Sequence, residues 1–172
     1  MERQSIMFDF SSFNSINTLI FDVDGVFTDS TIFISEDGSL QRTMNVRDGQ
    51  AIKLAKKAGY NLAVITKGNS AGVEIRLKNL GITHFYGACD NKLEAFEDLC
   101  AKIDANPSQM LYMGDDLPDL ALFDKVGISC TPADGCNVAL QRADYVCAKG
   151  GGKGCVREVV EKVMRIQDKW PV

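Results

Sequence analysis

Six short runs of apolar, branched and aromatic residues, at 18–22, 61–66, 83–86, 109–113, 127–130 and 144–147, alternate along this chain with stretches whose apolar residues recur every three or four positions. All six predict strands, and in 61–66 the apolar run without alternation fits a strand buried on both faces of a parallel sheet. Between them, helical spacing predicts helices over 50–58 (Ala51, Leu54, Ala55 and Ala58 share one face), 71–80, 91–103, 120–126, 137–142 and 156–168. Gly59 and Gly81 stand where the first two of these helices should stop.

Two further β-type stretches, 30–35 and 40–46, flank Glu36-Asp37-Gly38-Ser39, a strong hairpin signal. A hairpin there can act as a flap, as a contact between subunits or as surface decoration. Residues 1–17 are rich in Ser, Asn and Phe without a period and read as an extension draped on the domain, with room for one helical turn. No Pro- or Ser-rich linker and no internal repeat divides 1–172. The pattern therefore predicts a single α/β domain, a doubly wound, mainly parallel sheet with right-handed crossovers, carrying a hairpin flap at 30–46. Sheets of this kind gather their strand ends at one crevice.

Composition narrows the classes. At 45% hydrophobic residues over 172, the chain can bury a sizeable core, and a net charge of −4 offers no general attraction to nucleic acid or to an anionic membrane. The six cysteines form no CxxC pair and His84 is the sole histidine, so a zinc site lacks its usual ligands and spacing. With no secretory signal in 1–17 and no apolar run long enough to span a bilayer, a soluble, cytoplasmic protein with buried free thiols is expected in preference to disulfides.

The chemistry concentrates at strand ends. Leu19-Ile20-Phe21 delivers Asp22-Val23-Asp24-Gly25, two aspartates one residue apart where a buried strand breaks. Taken alone this is either an Asp-Gly turn or a cation site, since two close carboxylates repel unless a cation lies between them. An Asp can also attack phosphorus, and Mg²⁺ suits carboxylate oxygens together with substrate phosphate. Thr66 ends a second strand, and Gly114-Asp115-Asp116-Leu117-Pro118-Asp119 follows a third, so three strands bring oxygen-bearing side chains to one crevice. Lys92 opens a predicted helix, where the helix dipole disfavours a cation. It reads either as the group that neutralises nucleophile and phosphate or as a solvated surface lysine.

Together, Asp22-x-Asp24-Gly25-Val26, Thr66, Lys92 and Gly114-Asp115-Asp116-x-x-Asp119 resemble the four motifs of the haloacid dehalogenase superfamily of phosphatases. Thr28-Asp29, the immediate hairpin, Asn45-Val46-Arg47-Asp48-Gly49, Gly81-Ile82-Thr83, Asn91-Lys92 and the late Gly150, Gly151, Arg157 and Glu158 are similar to the capless branch that hydrolyses 3-deoxy-D-manno-octulosonate 8-phosphate and supplies lipopolysaccharide sugar precursors. The resemblance implies a Rossmann-like sheet without a cap domain, and the short intervals between Asp22, Thr66 and Lys92 leave no room for one.

It also implies roles. Asp22 would be the nucleophile and Asp24 the general acid/base, with Mg²⁺ held by Asp22, Asp115 and the Asp24 carbonyl. Thr66 and Lys92 would hold the phosphoryl group, and Asp116 and Asp119 would orient the site and Lys92. A homotetramer whose hairpins meet would shape the open site, with Arg47, Lys67, Lys153 and Arg157 as candidates for the sugar acid's carboxylate, some across a subunit boundary. One departure stands out: the family often follows the strand-terminal Thr with Gly and soon an Arg, whereas here Lys67-Gly68-Asn69-Ser70 follows. The alternatives are the same chemistry on a nine-carbon, sialic-type acid 9-phosphate, a catalytically silent interaction subunit, and a phosphotransferase or mutase, which would ordinarily need a cap to exclude water.

Overall fold

The computed structural model describes residues 8–172, so the expected extension is seen from residue 8 onward and its first seven residues lie outside the described part. Six parallel strands form the main sheet in the order β5-β4-β1-β6-β7-β8: β1 (Thr18–Phe21), β4 (Asn61–Ile65), β5 (His84–Tyr86), β6 (Met110–Met113), β7 (Ile128–Thr131) and β8 (Tyr145–Val146). A separate antiparallel pair, β2 (Phe33–Ile34) and β3 (Leu40–Gln41), is the hairpin. The helices are α1 (Val46–Lys57), α2 (Ala71–Leu80), α3 (Lys92–Ile103), α4 (Leu120–Phe123), α5 (Asn137–Arg142) and α6 (Cys155–Ile166).

The missing alternation in the strands has a direct cause. Along β1, Leu19 and Phe21 enter one core and Ile20 the other; along β4, Leu62 and Val64 oppose Ala63 and Ile65; along β6, Leu111 and Met113 oppose Met110 and Tyr112. Successive side chains point to opposite faces, and both faces are covered along these strands, so apolar residues follow one another without a break; β5 and β8 at the sheet's edges are only partly buried, and β7 places Ser129 and Thr131 in buried positions. α1, α2 and α6 cover the first face through residues such as Ala51, Leu77 and Val160; α3, α4 and α5 cover the second through Leu99, Leu122 and Ala139.

Helix ends follow their caps. Ser70 and Asn91 accept amide hydrogen bonds at the starts of α2 and α3, and Gly81 closes α2 at φ 119°. At α1 the Asn45 side chain accepts from the Arg47 amide, so the helix starts at Val46, four residues before the apolar period becomes visible. Val46 therefore belongs to a helix and not to the hairpin, whose arms shorten to two residues each. Gln109 closes a 3-10 turn, Pro107–Gln109, so β6 begins one residue later than its apolar run. Residues Phe10–Ser15 form a 3-10 turn that packs on α6 with Phe13 fully buried.

The chain runs outward from β1 to β4 and β5, then returns to the other side of β1 for β6, β7 and β8. The order reverses at β1, and because Phe21 is level with both Val64 and Met113, the ends of β1, β4 and β6 open at one edge. The turn after β1 is held from a distance. The Gly152 amide donates to the Val26 carbonyl at 3.0 Å, and a Cβ on Gly151 would lie 2.0 Å from the Gly25 carbonyl oxygen. The Gly-rich stretch 150–154 is thus a close backbone brace. Replacing Gly151 with Ala forces two backbone segments apart, and urea denaturation is expected to show a loss of about 1–3 kcal/mol with the fold retained.

Candidate functional site

At the reversal point a cavity of about 180 Å³ is lined by Asp22, Asp24, Ser30, Thr66, Lys67, Gly68, Lys92, Asp115, Asp116, Pro118 and Asp119. Asp22, one residue past β1, is 8% exposed; its Oδ1 accepts from the Val23 amide at 2.6 Å and its Oδ2 lies 2.8 Å from Lys92 Nζ. Burial raises the Asp22 carboxyl above its usual range, and Lys92 opposes that rise.

Lys92 is the first residue of α3 and is 4% exposed. Its ammonium meets Asp22, Asp119 Oδ1 at 2.6 Å and the Tyr112 hydroxyl at 3.3 Å. Burial acts to lower its pKa, but Asp22 and Asp119 outweigh burial and the net shift is upward, so the charge stays on. The structure therefore brings Lys92 into the acidic cluster, with its buried position at the helix start sustained by two carboxylates.

Asp119 is fully buried and spends both oxygens on its neighbours. Oδ1 accepts from Lys92 and Tyr112, and Oδ2 accepts from the amides of Asp115 and Asp116 at 2.9 and 3.0 Å. It shapes the loop after β6 and locks Lys92 at once. Asp116, by contrast, is exposed and caps the next turn through the Leu117 amide. Thr66, one residue past β4, is buried at the cavity wall with its hydroxyl accepting from the Gly68 amide.

Asp22, Asp115 and Asp119 each present an oxygen within 4.8 Å of the others. Since Asp119 is saturated with donors, Asp22 and Asp115 are the carboxylates left for a cation. Burial, with Asp119, Asp22 and Asp116 nearby, pushes the Asp115 carboxyl up to about 7. An all-carboxylate donor set crowded to this degree fits a small hard divalent cation and does not fit a soft one. Gly25 adds to the fit: at φ 86°, a Cβ would lie 1.9 Å from Asp115 Oδ2, so a glycine is what lets that carboxylate approach the turn after β1.

Of the four cations expected near a sugar acid, Lys67 lines the cavity. Arg47 is exposed on the first turn of α1, Lys153 pairs with Asp29 at 3.2 Å, and Arg157 pairs with Glu161 and lies over the Trp170 ring. None of these three lines the cavity of its own chain. Sequence reasoning missed Tyr112, Ser30 and above all Arg42, whose guanidinium grips Asp24 with Nε–Oδ1 2.6 Å and Nη2–Oδ2 3.0 Å. An arginine in a predicted hairpin arm carries no mark of its target 18 residues away.

All six cysteines are free, with Cys130, Cys147 and Cys155 buried. Among the described residues no helix is long and apolar enough to cross a membrane.

The haloacid dehalogenase-like hydrolase family model matches residues 32–127. The 3-deoxy-D-manno-octulosonate 8-phosphate phosphatase KdsC of Escherichia coli strain K12 is 42% identical over 155 residues, covering 90% of this chain and 82% of the relative. A crystal structure of the phosphatase of that name from Yersinia pestis superposes with a TM-score of 0.91 at 38% identity, covering 93% of this chain and 86% of that one. The Moraxella catarrhalis phosphatase, solved in complex with magnesium ion, phosphate ion and KDO, superposes with a TM-score of 0.89 at 35% identity over 92% of this chain and 91% of its own. With the sheet order, the strand-end aspartates and the buried lysine in place, this chain belongs to the haloacid dehalogenase-like hydrolases.

Proposed function

We propose that the chain is a Mg²⁺-dependent phosphoric monoester hydrolase acting on 3-deoxy-D-manno-octulosonate 8-phosphate through an aspartyl-phosphate on Asp22. The observation that carries this reading is the buried Asp22 carboxylate, set at the sheet's reversal point with Lys92 Nζ 2.8 Å from one oxygen. The likeness to the Moraxella catarrhalis phosphatase with its magnesium, phosphate and KDO supports the choice of metal and substrate.

In this reading each group has a role that its position supports. An Asp22 oxygen attacks phosphorus as the bond to the sugar oxygen breaks, and Asp24 gives that oxygen a proton. Asp24 then takes a proton from the water that attacks the phosphoryl group, which frees phosphate and restores Asp22. Thr66 donates its hydroxyl to a phosphoryl oxygen, and Lys92 balances the charge that spreads over those oxygens. Asp22, Asp115 and the Asp24 carbonyl are the groups that would hold Mg²⁺, which when bound supplies further positive charge to the phosphoryl oxygens. Asp116 and Asp119 orient the loop after β6, Asp119 also fixing Lys92.

Lys67 is the cation nearest at hand for the substrate's carboxylate. Arg47, Lys153 and Arg157 would reach a sugar acid from a neighbouring chain. That assignment goes with a cytoplasmic homotetramer making lipopolysaccharide sugar precursors, and the hairpin favours assembly: Phe33 is 67% and Ile34 69% exposed in the single chain, with Ile32 and Leu40 beside them.

Purified protein assayed with Mg²⁺ against eight- and nine-carbon sugar-acid phosphates and an aryl phosphate is expected to prefer the eight-carbon ester, to stop in excess EDTA, and to lose roughly 10⁴-fold or more in kcat on Asp22→Ala. A faster nine-carbon or aryl ester overturns the substrate, and near-wild-type turnover by Asp22→Ala removes the nucleophile. Asp119→Ala removes one of the two carboxylates that hold the buried Lys92 and leaves the Tyr112 hydroxyl and two loop amides without their acceptor, so a drop of about 3–5 kcal/mol in chemical denaturation is expected, against about 1 kcal/mol for the exposed cap Asp116→Ala. Equal effects would contradict the hub role of Asp119. Light scattering should give a tetramer for the native chain and smaller species for Phe33→Asp combined with Ile34→Asp; an unchanged mass would move the interface elsewhere.

A further inference from the structure

Arg42 follows β3 directly and reaches back from the hairpin to Asp24 in the cavity wall, and its side chain is 7% exposed. Both oxygens of Asp24 receive a guanidinium N–H, at 2.6 and 3.0 Å. Gly68 borders the fork on the opposite wall, where a Cβ would lie 3.3 Å from Asp24 Oδ2 and 3.7 Å from Arg42 Nη2. A bidentate fork fixes the plane of a carboxylate as well as its place, which a lysine's point charge does not. Each carboxylate oxygen keeps further lone-pair capacity, so the fork orients Asp24 without filling the position a transferable proton needs.

We propose that Arg42 is a positioning residue that aims Asp24 at the leaving oxygen, so that the hairpin's placement sets how fast the ester bond breaks. The role rests on the reading of Asp24 as the general acid. A proton donor must come within about 2.6–3.2 Å of the atom it serves, and a misplacement of about 1 Å costs on the order of 10²-fold. The backbone on one side of Asp24 is set by the braced turn at Gly25, whose amide donates to the Thr28 hydroxyl. The hairpin fork restrains the side chain.

The test uses leaving groups that differ in their need for a proton. kcat/KM covers the steps through ester cleavage; an alkoxide leaves with a proton from Asp24, whereas 2,4-dinitrophenolate leaves without one. Wild type, Arg42→Ala and Arg42→Lys are compared on 2,4-dinitrophenyl phosphate and on an alkyl phosphate, the eight-carbon sugar-acid ester or, if that is not turned over, the best alkyl ester of the screen. Arg42→Ala is expected to lower kcat/KM for the alkyl ester by roughly 10- to 100-fold while the dinitrophenyl ester changes by less than about threefold. Arg42→Lys should recover part of the loss, and added guanidinium ion should rescue Arg42→Ala on the alkyl ester. Retained dinitrophenyl turnover shows that the variant folds. An equal fall on both esters, or no fall on either, overturns the positioning role while leaving the phosphatase reading in place. A wild-type protein inert toward every phosphate ester overturns both. Failure on the sugar-acid ester alone overturns the substrate and leaves the role to be decided on the alkyl ester that is turned over.

Discussion

An ammonium that is only 4% exposed governs the whole crevice. Lys92 cannot be buried without carboxylates around it, and those carboxylates cannot crowd together without Lys92 and the cation they are built to hold. Asp119 settles the balance by giving one oxygen to Lys92 and the other to two backbone amides. That single side chain ties the start of α3 to the loop after β6. Because Asp119 is consumed in this way, Asp22 and Asp115 are left facing one another. The site's acidity is thus sorted by hydrogen bonding, with near neighbours such as Asp116 and Asp119 going to opposite environments.

Much of this was legible in the sequence because the relevant signals are local. Buried strands announce themselves by uninterrupted apolar runs, and their ends by Asp, Thr or Gly, which is why β1, β4 and β6 and the positions of Asp22, Thr66 and Asp115 could be read directly. α2 and α5 matched their spacing to the residue, since caps and period agree there. α1 began early because Asn45 caps it before any apolar residue repeats, and a cap is a weaker mark than a period. The hairpin turn was visible, but the length of its arms depends on what they pair with, and two residues on each side were all that paired.

What the sequence withheld is long-range. Arg42 and Asp24 are brought together by the fold of the hairpin over the crevice, and Tyr112 is an ordinary strand residue until its hydroxyl is seen against Asp119. Arg157, by contrast, meets Glu161 one helical turn away, a pairing that its spacing does announce, and lies over the Trp170 ring. The pairings of Arg42 with Asp24 and of Tyr112 with Asp119 are decided by which surfaces meet, and no spacing along the chain encodes them.

The brace between Gly151 and Gly25 has a consequence for the order in which the molecule matures. The turn that presents Asp24 is held by backbone some 125 residues downstream, through the contact of Gly152 with Val26 and the packing of Gly151 on Gly25. During synthesis the N-terminal half can pair β1 with β4 while the stretch at 150–154 is still inside the ribosome, because strands β1 and β4 need nothing from it. A chain that ended before this stretch would carry the aspartates without the backbone that braces their turn and without the α6 side chains that fill the first core.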